Sequence, residues 1–291
     1  MFKKQIYSFH TTFLKVDVNR LEMEEFPKRY LFDLQQKSLY YLHIYAECLQ
    51  IICGETEKSY EKIVLIDYGC GNGLLGLFAR YCGFKEVIFI DTEKSFCHSI
   101  PELAAALGIV INKEHIIYGQ LRDIPAKLPL AHALAGTDVV EHIYDPAVFF
   151  YDLHVYNSNI ISVLTTASNC DNPFIVNRLQ KLQERDEKEG LKEVNAQSGK
   201  QHPSFFQMRS EIIKANFTDL TQEKIAPLAT LTRGKNKTDI INLVGSFLNE
   251  GEKIEPILHP TNTCDPLTGS WTERLTTIAE YRKIYHENGF S

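Results

Sequence analysis

Three groups of side chains in this 291-residue chain are of the right type and spacing to do chemistry. The stretch VLIDYGCGNG (64–73) places Gly69, Gly71 and Gly73 at alternate positions behind an apolar run that ends in Asp67. Bare backbone there can approach a ligand closely, and a helix that opens behind it offers amide groups to a nucleotide-like molecule. A second apolar run, EVIFID, also ends in an acid, Asp91. The third group is TDVVEH (137–142), which gathers Asp138, Glu141 and His142 within about one turn. An imidazole titrates near neutral pH, so His142 is the first candidate for a general base; the same Glu-His pair could instead fix its loop and cap the next helix.

These residues need elements to position them. Residues 62–166 alternate short apolar runs (KIVLID, EVIFID, HIIYG, AHALAG, NIISVLTT) with helical segments. Runs of that kind are strands buried on both faces of a parallel sheet, so the fold class is α/β, a doubly wound, mostly parallel Rossmann-like sheet. Ligands meet such sheets at the carboxyl ends of the strands, where the glycine loop, Asp91 and Asp138 all fall. A dinucleotide fingerprint GxGxxG would need a third glycine at position 74, which is Leu74, and this weakens an NAD reading.

The spacing D-x-G-x-G-x-G with Asp91 ending the second strand resembles the first two motifs of class I S-adenosylmethionine-dependent methyltransferases. The resemblance implies that Asp67, Gly69, Cys70, Gly71 and Gly73 approach the methionine part of S-adenosyl-L-methionine. It also implies that Asp91, beside Thr92, accepts from both ribose hydroxyls. YGQLRDIP (118–125) resembles the segment after the family's third strand, with Gln120 where an acid usually meets the adenine amino group and Leu121 as an apolar wall. AGTDVVEHIYDP (135–146), including Thr137, resembles the fourth-strand segment of ubiquinone-biosynthesis-type small-molecule O-methyltransferases. Relatives that use a divalent ion carry an E-x-x-E-H element joined by a later ligand. By that resemblance Asp138, Glu141, His142 and His202 form an alternative site for magnesium or manganese.

Around this core the expected organisation is an N-terminal helical segment (1–60), a cosubstrate-binding α/β core (61–170) and a third part (171–291) made of a helical cap, an acceptor-side loop and a C-terminal helix. In the first part DLQQKSLYYLHIYAECLQII (33–52) has helical periodicity with Gly54 as a stop. In the third, residues 172–194 form a charged helix read as a solvated surface element or lid, and helices follow at 202–217, at LTQEKIAPLATLT (220–232) interrupted by Pro227, and at 237–251. The loop HPTNTCDPLTGSWTER sets His259, Asn262, Asp265, Trp271, Glu273 and Arg274 near one another, and a last helix runs from Thr272 to about Asn288. Family sheets finish with an antiparallel hairpin, so either residues 224–232 complete this one or the chain is C-terminally incomplete.

Composition narrows the partners. The net charge is -6, from 31 basic and 37 acidic residues, which gives no electrostatic reason to expect nucleic acid. Seven cysteines without a CxxC pair indicate neither a disulfide framework nor a zinc site, and no stretch is apolar enough to span a membrane. A cytoplasmic location is expected, and nothing bears on oligomeric state. The leading expectation is a methyltransferase acting at oxygen or nitrogen of a small-molecule substrate. A metal-dependent RNA-end 2'-O-methyltransferase and a non-catalytic protein that binds S-adenosylmethionine are the alternatives.

Overall fold

The computed structural model describes residues 1–191 and 201–290. The chain divides into two units, the first comprising residues 1–140, 147–165 and 285–291, the second residues 141–146 and 166–284. In the first unit α1 (Lys3–Phe13), α2 (Glu25–Gln36) and α3 (Ser38–Glu55) precede β1 (Val64–Tyr68), α4 (Leu74–Tyr81), β2 (Glu86–Asp91), α5 (Lys94–Leu107), β3 (Ile116–Tyr118), β4 (Ala133–Thr137), α6 (Pro146–Tyr156) and β5 (Ile161–Thr165). The five strands pair in parallel in the order β3-β2-β1-β4-β5. The chain's direction of progress across the sheet therefore reverses between β1 and β4, the position where open α/β sheets leave a crevice.

The apolar runs form strands because both of their faces are covered. Leu65, Ile66, Ile88, Phe89 and Ile90 are all buried. Phe9 and Phe13 of α1, Leu42 and Leu49 of α3 and Phe78 of α4 share a core with the sheet. Each such side chain contributes roughly 1.5–3 kcal/mol when removed from water. The first sixty residues are thus part of the sheet's own core. Beside the edge strand β5, Phe150 of α6 is buried against Tyr285 (ring centroids 4.2 Å apart) and Phe290 (5.9 Å).

The second unit holds α7 (Pro173–Lys188), α8 (Phe205–Asn216), α9 (Gln222–Leu231), α10 (Lys237–Glu250) and the greater part of α11 (Ile278–Glu287). Asn172, Ser204 and Asn236 cap the starts of α7, α8 and α10 with side-chain oxygens. Gly251 ends α10 in the left-handed conformation. Among the described residues no helix is long and apolar enough to cross a membrane.

Several local expectations are corrected. The periodic stretch 33–52 is two helices broken at Lys37, because the buried Ser38 turns its hydroxyl onto the Gln35 carbonyl at 2.7 Å and onto His10 Nδ1 at 2.9 Å. Gly54 lies inside α3, which runs on to Glu55. Residues 224–232 do not complete the sheet: they fall in α9 and its cap, with Ile225, Leu228 and Ala229 buried in a helical core. The last helix starts at Ile278, not Thr272, since residues 272–275 are held in loop pairings with Thr263, Glu141 and Asn262.

The charged helix at 172–194 is α7, and the part of that stretch beyond Leu191 lies outside the described residues. One face of it is solvated, with Arg178, Lys181, Glu184 and Lys188 exposed, while a second polar face is turned inward. Gln183 bonds Asn262, Thr261 and the Thr272 and Glu273 carbonyls; Asp186 accepts from Thr272, and Glu187 accepts from Thr263. Residues 183, 186 and 187 share one helix face, so α7 is the post to which the 259–275 loop is fastened. Arg209 of α8, fully buried, closes the set with a bidentate pair to Glu187.

Gly76 shows how closely α4 approaches the sheet. A helical Gly→Ala exchange in open surroundings stabilises by roughly 1 kcal/mol. A Cβ on Gly76 would lie 2.4 Å from Phe89, 2.8 Å from Val87 and 2.9 Å from the Asp67 carboxylate. Gly76→Ala is therefore expected to destabilise by about 1–3 kcal/mol. A lowered urea midpoint would match this, and a raised one would contradict it.

Candidate cosubstrate site and base

At the carboxyl end of β1 the chain passes through Gly69, Gly71 and Gly73 with φ of 62°, 52° and 76°. That left-handed backbone is strained for any other residue, and at Gly69 a Cβ would also stand 2.2 Å from the Val139 side chain. Gly73 is the N-cap of α4. Two carboxylates hold the loop from below. Asp67 accepts from the Gly76 N–H at 2.8 Å, and Asp91 accepts from the Gly71 N–H at 2.8 Å and the Glu93 N–H at 2.8 Å.

The Asp91 bonds use one oxygen each, Oδ2 for Gly71 and Oδ1 for Glu93. Each oxygen keeps a further lone pair, so the carboxylate is oriented and still able to accept from two neighbouring hydroxyls. Burial, with the Glu93 charge adding to it, raises the Asp91 pKa from its ordinary range, while the backbone N–H groups of Glu93, Gly71 and, most weakly, Thr92 oppose the shift. Asp67 is only 2% exposed. Its place is under the loop, as a brace for α4.

The other members of the set lie at neighbouring strand ends. Cys70 is buried with its thiol pKa pushed up by burial, and its N–H extends the sheet to the Ile90 carbonyl at 3.1 Å. Thr92 is exposed just after β2, and Thr137 ends β4. Leu121 is buried. Gln120 is exposed; its carboxamide oxygen accepts from Arg122 at 2.8 Å, while its N–H donates to Asp123 at 2.7 Å. Asp138 is exposed in the left-handed region at φ 54°, and its N–H donates to the Thr165 carbonyl at 3.1 Å.

Two contributors escaped the sequence reading. Tyr30 of α2 lies over the loop, 3.3 Å from where a Gly71 Cβ would be, and it packs on Phe96 at 5.2 Å. Burial raises its phenol pKa, and the nearby Tyr41, Asp138, Asp91 and Asp67 add to the shift. Asn72, fully buried, donates to Ser99 Oγ at 2.9 Å and to the Pro27 carbonyl at 3.3 Å, fastening α2 and α5 to the glycine loop. An aromatic position on an amphipathic helix and an asparagine within a glycine run carry no distinguishing sequence signal.

In the second unit Glu141 and His142 lie in a short 3-10 turn with Val140. The turn is fixed by backbone pairing: Trp271 N–H donates to the His142 carbonyl at 3.2 Å and Arg274 N–H to the Glu141 carbonyl at 3.1 Å. The fully buried Glu141 carboxylate accepts from Ala167 N–H at 3.0 Å. His142 Nδ1 lies 2.7 Å from the Trp271 carbonyl oxygen. A carbonyl only accepts, so Nδ1 carries the proton and, in the neutral ring, Nε2 carries the basic lone pair. The Trp271 indole in turn donates to the Tyr144 carbonyl at 2.9 Å, and Arg274 stacks over its ring at 4.6 Å.

The metal alternative is not assembled. Among the described residues no group of three or more His, Cys, Asp or Glu side chains is placed to hold an ion. His202 pairs its backbone with Leu191, sets Nδ1 2.8 Å from the Pro203 carbonyl and stacks on Phe205. Of the set Asp138, Glu141, His142 and His202, the Glu141 carboxylate accepts from Ala167 N–H, and the His142 and His202 Nδ1 atoms face the Trp271 and Pro203 carbonyls. Cys264 and Phe205 are buried packing residues, while Phe206 is only partly buried.

The brace under the loop has a pH signature. Burial pushes the Asp67 carboxyl well above its ordinary 3.8, with the Gly76 bond opposing. The folded protein then holds this proton more tightly than the unfolded chain, so the contribution to stability is present at pH below about 4 and is lost as pH rises through the folded value. Asp67→Asn keeps an acceptor for Gly76 and removes the titration. Its stability relative to wild type should rise as pH increases above about 4 in urea unfolding; a pH-independent difference would contradict the assignment.

No family model matches the chain. Over 87 residues it is 32% identical to the ribosomal protein L11 methyltransferase of Psychrobacter arcticus, and the matched stretch covers 28% of this chain and 28% of that relative. Among solved structures it is similar to the plantazolicin methyltransferase BpumL in complex with SAH, at a TM-score of 0.30 and 14% identity, over 54% of this chain and 58% of that one.

Proposed function

We propose that this protein is an S-adenosylmethionine-dependent methyltransferase whose acceptor is an oxygen or nitrogen of a small molecule. The observation that carries the reading is Asp91: a strand-end carboxylate, held by two backbone N–H groups next to a left-handed glycine loop, with one accepting position left on each oxygen. This matches a vicinal ribose diol. The partial sequence likeness to a methyltransferase supports the donor and leaves the acceptor open, because it spans 28% of that relative. The chain's net charge of -6 argues against a nucleic-acid acceptor. Seven free cysteines fit a reducing compartment and a cytoplasmic location.

When bound, the cosubstrate supplies a methyl group already activated on a sulfonium, so no covalent nucleophile is required of the protein. What remains for the chain is alignment and proton removal. Gly69, Gly71 and Gly73 supply a close backbone surface, Asp91 fixes the ribose, and Leu121 gives an apolar wall. Gln120 stands at the position proposed for the adenine amino group, where it would exchange its bond to Arg122 for one to the ligand. His142 is proposed as the base that takes the acceptor proton on Nε2, oriented by the Trp271 carbonyl as a third group orients a catalytic imidazole. Asp138 and Glu141 serve as positioning residues in this scheme.

Calorimetry with S-adenosylmethionine and NADH tests the ligand class, with binding expected for the first only. Asp91→Ala should weaken S-adenosylmethionine by at least about tenfold, the loss of charge-assisted hydrogen bonds; unchanged affinity would refute the ribose role. His142→Ala should lower methyl transfer from labelled donor to a metabolite extract by about 10²–10⁴-fold with donor affinity unchanged. An undiminished rate would remove His142 as the base.

A further inference from the structure

We propose that the second unit carries a separate binding site for a small amphipathic organic anion, with an apolar body and one carboxylate. The site is a cavity of about 490 Å³. That is within the range of small-molecule pockets and fits a medium-length chain or a fused ring pair. Its walls are apolar: Phe206 from α8, Leu231 from α9, and Pro256 with Ile257 from the segment that follows α10. Its polar groups are concentrated in Glu187, Lys188 and Arg233.

The charge of these groups selects the ligand. Glu187 is already matched, since both its oxygens are taken by the buried Arg209 guanidinium and one also accepts from Thr263. That leaves Lys188 and Arg233 as cations in excess. Lys188 faces Glu184 at 4.0 Å, the outer limit of an ion pair, and its side chain is exposed. Arg233 donates only to carbonyl oxygens, those of Ile257, His259 and Pro260. Among the described residues no carboxylate lies within 4.0 Å of its guanidinium, and its Nε–H has no partner.

A half-buried guanidinium bound to neutral acceptors alone keeps a full positive charge in partly desolvated surroundings. Burial pulls its pKa down, the Glu187 carboxylate opposes this, and the neighbouring Arg209 adds to the fall. A carboxylate on the ligand would compensate that charge and occupy the vacant donor, while the apolar walls hold the rest of the molecule. A cationic ligand would face three cations, Arg209, Arg233 and Lys188, against two anions, Glu187 and Glu184. A neutral apolar ligand would leave Arg233 uncompensated.

Decanoate, decanol and acetate separate the three possible contributions in calorimetry on the full chain below the micelle concentration. Decanoate should bind, and decanol and acetate should each bind at least about tenfold more weakly. Arg233→Met should weaken decanoate at least about tenfold, with partial recovery in Arg233→Lys. Because Arg233 also ties down loop carbonyls, Leu231→Trp serves as the independent variant: it fills the cavity away from those bonds and should abolish binding. Asp91→Ala should leave decanoate affinity unchanged, so this site and the cosubstrate site fail separately. Absence of decanoate binding, decanol binding as tight as decanoate, or decanoate binding that survives Leu231→Trp would each overturn the proposal.

Discussion

The architecture of the candidate site depends on one constraint: the glycine loop at the end of a buried strand and the first turn of the helix behind it expose backbone N–H groups that need acceptors. Two strand-end carboxylates supply them. Asp67 takes the N–H of Gly76 and Asp91 takes that of Gly71, so the loop is fixed to the ends of β1 and β2 together. Burial makes both carboxylates costly in the charged form. The entropy lost in ordering three glycines and the cost of two buried acids are offset by the apolar contacts of the sheet and its helices. A loop held this way presents the same backbone surface before and after a ligand arrives, which lowers the ordering cost of binding.

The first unit therefore separates two duties that look equivalent in the motif. Asp67 and Asp91 both end apolar runs, yet Asp67 is sealed under α4 and Asp91 remains partly accessible with lone pairs to offer. In the second unit a comparable division holds around His142. Its ring is oriented by the Trp271 carbonyl, that loop is fastened to the polar face of α7, and α7 is anchored by the buried Arg209–Glu187 pair. The His142 ring is thus supported through a chain of polar contacts, in which removing one partner of the buried ion pair would cost about 3–5 kcal/mol.

Much of this was legible in the sequence. Five apolar runs became five parallel strands, with β1, β2 and β4 buried inside the sheet and the edge strands β3 and β5 partly covered. Gly69, Gly71 and Gly73 announced their left-handed backbone. What was not legible rests on long-range partners. The break at Lys37 depends on Ser38 meeting Gln35 and His10, and the buried polar stripe of α7 depends on a loop about eighty residues away. Tyr30 over Gly71 has no motif at all, and the group that sets the His142 tautomer is a backbone carbonyl, which residue identity does not reveal.

The central claim is that Asp91 is the ribose acceptor of an S-adenosylmethionine site. A crystal structure of the protein soaked with S-adenosylhomocysteine tests it most directly. Both ribose hydroxyls should lie within hydrogen-bond distance of the two Asp91 carboxylate oxygens, with the Gly71 and Glu93 N–H bonds retained. A ligand bound elsewhere, or a ribose that leaves Asp91 contacted by backbone alone, would contradict the account.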